Sequence, residues 1–275
     1  MAEGRKRKFI KELQAKAKLR RESGLYVVDG VRMCAELPAE EAEELFVTPE
    51  FLASEHAGSC DALLRSCGYE LVSAQEMKQM SDTVTPQGIL ALARQKKIRG
   101  IREILEAGKN GGAPLLVLLE NLQDPGNLGT ILRASEAAGV TGVIMDRACV
   151  DIYAPKVVRS TMGAIFRVPF LIVDDLQRAA ELLKEKSITL YAAHLRSASD
   201  YTAVSYRAGC GILIGNEAHG LSDALTEKAD AAVKIPMCGR VESLNAAMAA
   251  TILLFEANRQ RRMTDPSQGT YTAEQ

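Results

Sequence analysis

From residue 115 onward the chain is punctuated by short apolar runs that do not alternate: Leu115-Leu-Val-Leu-Leu, Gly142-Val-Ile-Met, Val168-Pro-Phe-Leu-Ile-Val, Thr189-Leu-Tyr-Ala-Ala, Gly211-Ile-Leu-Ile and Ala232-Val-Lys-Ile. A strand with one wet face alternates apolar and polar side chains, so unbroken runs of strand length belong in a sheet buried on both faces. Helix-period patterns fill the gaps at 128–138, 155–162, 175–185, 222–229 and 243–261. Strands separated by helices predict an α/β fold in which a parallel sheet is covered by helices. Ligands in such sheets bind beyond the carboxyl ends of the strands. The loops after Leu119, Ile214 and Ile235 are therefore where chemistry is expected.

The first hundred residues read differently. Strands are expected at Leu25-Tyr-Val-Val, Leu45-Phe-Val-Thr, Glu70-Leu-Val-Ser and Gly88-Ile-Leu-Ala-Leu-Ala, with short helices at 31–36, 49–55, 61–67 and 74–80 behind a basic helix that ends near Glu22. With 275 residues, 47% of them hydrophobic, the chain can build two cores. The expected division is a smaller α/β domain over 1–98, a connector over 99–113, a larger domain over 114–262 and a disordered tail over 263–275.

The formal net charge of −1 hides an asymmetry, since residues 1–21 hold nine Lys or Arg against Glu3 and Glu12. A concentrated basic arm suits a polyanion, because phosphate contacts supply affinity without sequence information. A solvated basic helix and a targeting peptide are the alternatives, the second disfavoured by the two glutamates and by a strand that follows soon after. No apolar run reaches the roughly 18 residues of a membrane span, and no secretory apolar stretch follows the basic N-terminus, so a cytoplasmic protein is expected. The six cysteines (34, 60, 67, 149, 210 and 238) include no C-x-x-C and the three histidines (56, 194 and 219) show no paired spacing, which predicts reduced thiols and no metal. Neither a G-x-G-x-x-G after a strand nor a G-x-x-x-x-G-K-[ST] occurs, which argues against a dinucleotide fingerprint or a P-loop.

The three strand-end loops are all unusual. The first, Glu120-Asn-Leu-Gln-Asp-Pro-Gly-Asn127-Leu-Gly-Thr-Ile-Leu-Arg133, is a turn followed by a helix that Asn127 would cap, with Arg133 less than two turns in. A plain cap and a solvated arginine would look the same. The second, Gly215-Asn-Glu217-Ala-His219-Gly220-Leu-Ser222, puts a carboxylate at a strand end, where hydrogen bonds from Arg133 or from backbone donors would fix its charge. His219 is a candidate general base there, yet a single turn histidine is more often structural. The third, Ile235-Pro-Met237-Cys-Gly239-Arg-Val-Glu-Ser243-Leu244-Asn245, leaves backbone groups free around 237–241 and brings Ser243 and Asn245 to the start of an alanine-rich helix. An ordinary serine cap is the plain reading of that stretch. Glycines spread over two late loops fit a compact ligand without phosphates, S-adenosylmethionine among them.

Taken in order, N-x-x-D-P-x-N-x-G-x-x-x-R (121–133), G-N-E-x-x-G (215–220) and I-P-M-x-G-x-x-x-S-L-N (235–245) resemble the three signature motifs of the SpoU, or TrmH, family of RNA 2′-O-ribose methyltransferases, of the SPOUT class. Asp151-x-Tyr-x-Pro-Lys-Val-Val-Arg-Ser-Thr-Met-Gly-Ala is similar to the family's segment between the first two motifs. Lys16-Ala-Lys-Leu-Arg with Tyr26-Val-Val-Asp-Gly resembles, more weakly, its L30e-like substrate-binding domain, with Asp29 where a glutamate is commoner. The resemblance implies a trefoil knot built by the last two motifs, S-adenosylmethionine bound in it, an RNA substrate and a homodimer. Carried over residue by residue, the cofactor contacts fall on Gly215, Ile235, Met237 and Leu244, and the reactive centre on Asn127, Arg133, Glu217, Ser243 and Asn245.

A ribose hydroxyl is a poor nucleophile that must meet the sulfonium methyl in line, so positioning is the main task the resemblance assigns to these residues. Arg133 is then placed on the target ribose or its phosphate, helping to remove the hydroxyl proton. A guanidinium with a pKa above about 12 is an awkward base, which leaves a phosphate-assisted or water-mediated route open. The basic arm and the appended domain favour a large structured substrate, ribosomal RNA ahead of transfer RNA. A SPOUT enzyme acting on a base nitrogen would be expected to lack S-L-N in the third motif, and a non-catalytic RNA-binding protein would not need the five polar residues.

Overall fold

The structure, a computed structural model, describes residues 3–107, 112–195, 197 and 199–264. Most of the glycine turn of the connector, and the tail from residue 265, lie outside the described residues. Packing divides the chain into two compact units: Met1–Lys97 with Asp151–Arg167, and Ile98–Val150 with Val168–Gln275.

The first unit is built on a four-stranded sheet of β1 (Leu25–Asp29), β2 (Ala42–Val47), β3 (Glu70–Leu71) and β4 (Ile89–Arg94), in the order β1-β4-β2-β3. β4 pairs antiparallel with β1 and β2, and β2 pairs parallel with β3. The unbroken apolar sequence of β4 follows from its central place, where Ile89 through Ala93 are all buried. The N-terminal helices, Glu3–Ala15 and Ala17–Ser23, press Ile10 and Leu13 against a core that includes Phe46 and Leu90.

The basic residues of that arm divide into two sets. Lys6 pairs with Glu44 and Glu70 at 3.0 and 2.9 Å, and Arg7 with Glu76 at 2.7 Å. Arg20, only 4% exposed, pairs with Asp151 at 2.8 Å and donates to the carbonyls of Leu13 and Gln14. Arg5, Lys8 and Lys11 recur at every third position and are exposed on the outer face of the first helix. The segment Asp151–Arg167, grouped by sequence with the larger domain, packs in this unit. The Arg20–Asp151 pair, a Tyr26–Tyr153 ring contact at 4.6 Å and an Arg159–Asp82 pair at 3.0 Å hold it there.

The second unit is the α/β domain that the apolar runs predict. Its six strands are β5 (Leu115–Leu119), β6 (Gly142–Asp146), β7 (Phe170–Val173), β8 (Thr189–Ala193), β9 (Cys210–Ile214) and β10 (Ala231–Val233). They lie in the order β10-β8-β9-β5-β6-β7, and every neighbouring pair is parallel. β5 and β9 are buried along their whole length. The helix Leu176–Lys184 shows the packing logic: Leu176, Ala179, Ala180 and Leu183, spaced to share one face, join Leu116, Leu118 and Leu190 of the sheet in one core. Each fully buried leucine there contributes about 2 kcal/mol. The chain moves outward from β5 through β6 to β7 and returns on the other side through β8 and β9, which makes the β9–β5 boundary the place where loops diverge. No helix among the described residues is long and apolar enough to cross a membrane.

Candidate active site

β5 and β9 end side by side, and the Glu120 N–H donates to the Ile214 carbonyl at 3.0 Å, so the first two loops leave the sheet together. The helix after β5 spans Pro125–Ala138 and begins earlier than the apolar pattern indicates. Its cap is Asp124 and not Asn127: the Asp124 carboxylate accepts from the Asn127 N–H at 2.8 Å, and Pro125 takes the first helical position, where a missing N–H does no harm. Asn127 is therefore buried in the first turn with its side chain free for other partners. Its amide donates to Glu217 Oε1 at 2.9 Å, and its carbonyl oxygen accepts from Asn245 Nδ2 at 2.9 Å.

Glu217 also accepts from the N–H groups of Gln123 and Asp124, at 3.1 and 2.9 Å. Burial pushes its carboxyl up, but the hydrogen bonds from Asn127, Asp124 and Gln123 outweigh burial and hold it below its ordinary value. Of the two partners expected for Glu217, it takes the backbone donors; Arg133 is exposed and has no hydrogen-bond or ion-pair partner among the described residues.

The same two loops are braced at further points. Asn216 donates to the Asn121 carbonyl at 2.8 Å and accepts from the N–H groups of Ala218 and His219. Ser222 donates to Glu120 at 2.6 Å, and the Asn121 N–H donates to both oxygens of Asp146. Gly215 is required by contact: a Cβ there would lie 2.2 Å from the Gly220 carbonyl carbon and the Leu221 nitrogen.

The third loop is built otherwise. β10 stops at Val233, so Ile235 has already left the sheet. The last helix runs Ala246–Thr264, with Asn245 accepting from the N–H groups of Ala247 and Met248 at 2.9 and 3.3 Å. Asn245 thus occupies the capping place that a serine would take on the plain reading, and Ser243 stands before the helix. Residues 236–244 make no hydrogen bond among the described residues. Their backbone groups are left available to a ligand.

Above the ends of β8, β9 and β10 is a cavity of about 420 Å³. Gly215, Ile235, Met237 and Leu244 all line it, together with Glu217 and Ser243, whereas Asn127, Arg133 and Asn245 do not. Asn127 and Asn245 reach it only through their bonds to Glu217 and to each other. The lining combines apolar Ile214, Leu221 and Leu253 with charges at Glu217, Asp223 and Lys234. That donor set suits a compact ligand with an apolar body and few charges, and it offers no cluster of cations for phosphates. His194 and Leu195, on the loop after β8, line it as well and were missed on sequence. The rule that pointed to strand ends applies equally to β8, whose loop carries no glycine signature to draw attention. Among the described residues no group of three or more His, Cys, Asp or Glu is arranged to hold a metal ion.

Comparison with known proteins places this geometry. Residues 114–255 match the SpoU rRNA Methylase family, and residues 5–91 match the MRM3-like substrate binding domain. A Staphylococcus haemolyticus protein assigned to the TrmH family of tRNA/rRNA methyltransferases is 35% identical over 176 residues, 64% of this chain and 71% of its own length. The SpoU methyltransferase AviRb from Streptomyces viridochromogenes, crystallised with AdoMet, superposes with a TM-score of 0.81 at 27% identity, covering 93% of this chain and 97% of its own. A solved RNA 2′-O ribose methyltransferase superposes with a TM-score of 0.75 at 29% identity, covering 94% of this chain and 97% of its own. With its domain match, its motifs on three neighbouring loops and a cavity lined by two of them, the chain belongs to the SpoU family of rRNA methylases.

Proposed function

We propose that this chain transfers the methyl group of S-adenosylmethionine to a ribose 2′-hydroxyl, with ribosomal RNA as the substrate. The observation that carries the reading is the hydrogen-bonded chain Asn245–Asn127–Glu217, which ties three segments far apart in sequence to the wall of the 420 Å³ cavity. A structure of an RNA 2′-O ribose methyltransferase with the same fold and the AdoMet complex of AviRb support it. The cofactor, when bound, supplies an electrophilic methyl on a sulfonium. Gly215, Ile235, Met237 and Leu244 would hold it, the unbonded loop 236–244 closing over it with free backbone donors and acceptors.

Glu217 is ionised at neutral pH and accepts from three donors of the first loop and its helix, so it acts as a positioning residue that sets the first loop against the second. Ser243, which lines the cavity, is proposed to face the reacting nucleotide together with Asn245. The exposed Arg133 guanidinium is proposed to contact the target ribose or its phosphate. In the reaction the hydroxyl oxygen bonds to the methyl carbon, the carbon–sulfur bond breaks, and the hydroxyl proton leaves to phosphate or water, a step that Arg133 assists by stabilising charge.

Substrate RNA is proposed to dock on the first unit, where Arg5, Lys8 and Lys11 form an exposed basic face while Lys6, Arg7 and Arg20 serve the fold. We also propose a homodimer through the last helix, where Met248 and Phe255, seven residues apart, are 61% and 46% exposed. Such an enzyme works where RNA is, in the cytoplasm. The test is methyl transfer from labelled S-adenosylmethionine to ribosomal RNA, followed by repetition on an oligonucleotide with 2′-deoxyribose at the mapped position. Loss of transfer on the deoxy substrate is expected; undiminished transfer would move the methyl to a base and overturn the reading. An Arg133→Ala variant is expected to bind S-adenosylmethionine as before and to lose transfer.

A further inference from the structure

Beside the cofactor cavity lies a second, more open cleft of about 750 Å³. Asn121, Gln123, Asp124 and Pro125 form one side of it, and the loop from Asn216 to His219 forms the other. Asn216, Glu217, Ala218 and His219 line both spaces, so a single loop separates them.

Most polar groups of this cleft are already used. Glu217 accepts from the Gln123 and Asp124 N–H groups and from Asn127, and Asn216 is bonded to Asn121, Ala218 and His219. Besides the His219 imidazole and one Asp124 carboxylate oxygen, what remains is a pair of linked amides. Gln123 Nε2 donates to Asn121 Oδ1 at 2.7 Å and also to the Ala148 carbonyl. Three neighbouring oxygens around that nitrogen fix the orientation of the amide. Gln123 Oε1 is left as an acceptor and Asn121 Nδ2 as a donor, neither with a partner among the described residues. The pair is held firmly. Asn121 sits at φ 50, a left-handed conformation that asparagine tolerates, with its N–H on Asp146 and its carbonyl on Asn216. Such strain is kept only where the surroundings enforce it.

A free acceptor and a free donor on two hydrogen-bonded amides are the groups that pair with the edge of a nucleobase, and the cleft's position next to the cofactor cavity matches a base carried by the reacting ribose. We infer that this cleft takes the nucleobase of the target nucleotide and that Asn121 and Gln123 read its edge, making them specificity-determining residues. The inference rests on the ribose-methylation reading above.

The test uses the full-length protein and an RNA fragment carrying the mapped site, with each of the four bases placed in turn at the target position. Wild-type enzyme is expected to prefer one base by at least about 10-fold in kcat/KM, the range of a bidentate amide–base contact. Gln123→Ala, and separately Asn121→Gly, which keeps the left-handed backbone, are expected to bring the four substrates within about 3-fold of one another. Both should retain wild-type affinity for S-adenosylmethionine by calorimetry, since neither residue lines the cofactor cavity. A wild-type enzyme indifferent to the base, variants that keep the wild-type preference whatever their KM, or variants that lose cofactor affinity would each overturn the inference. Nucleoside digestion of the product separates this outcome from failure of the ribose reading, which would show the label on a base nitrogen.

Discussion

Two loops that wall the cavity, 215–221 and 236–244, are made by opposite means. The loops after β5 and β9 are cross-braced by side chains, with Glu217, Asn216, Ser222 and Glu120 each joining one loop to the other. The loop 236–244 has no internal hydrogen bond and is largely exposed. On the proposed reading the braced side keeps the methyl acceptor in line with the methyl group, and such alignment needs its geometry set beforehand, because a small misplacement is costly in rate. A wall that must admit and release a small molecule gains from backbone groups that find partners only when the ligand is there. Asn245 stands at the joint, capping the last helix on one side and bonding Asn127 on the other.

This contrast can be broken at the braced side first. Glu217→Ala leaves the Gln123 and Asp124 N–H groups and the Asn127 amide without their acceptor. Methyl transfer should fall about 100-fold in kcat/KM through lost alignment, read by steady-state kinetics with labelled cofactor. Gly215→Ala forces a Cβ to within 2.2 Å of backbone atoms that are themselves part of the brace. It should destabilise by about 1–3 kcal/mol in a denaturant titration.

Acid provides a gentler test of the same side. The Glu217 carboxyl has its folded value below the ordinary 4.5, so its contribution to bracing is fully present above that value and is lost as pH falls through the folded value. Hydrogen-exchange protection at the Gln123 and Asp124 amides should be unchanged from neutrality to pH 5 and should weaken only below 4.5; Glu217→Gln should remove that acid dependence at these two amides. The smallest effect belongs to the open side. Gly239 has open space around its Cβ direction and no left-handed φ. Gly239→Ala should therefore change stability by no more than about 0.5 kcal/mol, against the large loss at Gly215.

How far the sequence could be read follows the same divide. Unbroken runs such as Leu115-Leu-Val-Leu-Leu mark strands of the buried sheet because double-sided burial removes the alternation that would obscure them. The four residues assigned to cofactor contact all line the cavity, since each lies on a loop that a strand end must project there. The cap of the helix after β5 departs from the expectation: Asn127 and Asp124 are both good caps, and Pro125, which marks the true first position, decides for Asp124. The Glu217–Asn127 and Asn127–Asn245 bonds were beyond reach, because partners 90 and 118 residues apart leave no local pattern. The basic arm was read as a single charge patch, although burial of Arg20 and the pairing of Lys6 and Arg7 commit part of it to the fold. The segment Asp151–Arg167, expected in the larger domain, joins the first unit through contacts that only tertiary structure shows.

The most direct measurement is amide hydrogen exchange on the free protein and on the protein saturated with S-adenosylmethionine. The account predicts slow exchange at the Gln123, Asp124 and Asn127 amides in both states, and exchange at 237–241 that is fast in the free protein and strongly slowed by the cofactor. Protection at 237–241 without cofactor, or protection of 120–127 that arises only with it, would contradict the division of the site into a prebuilt wall and a ligand-closed one.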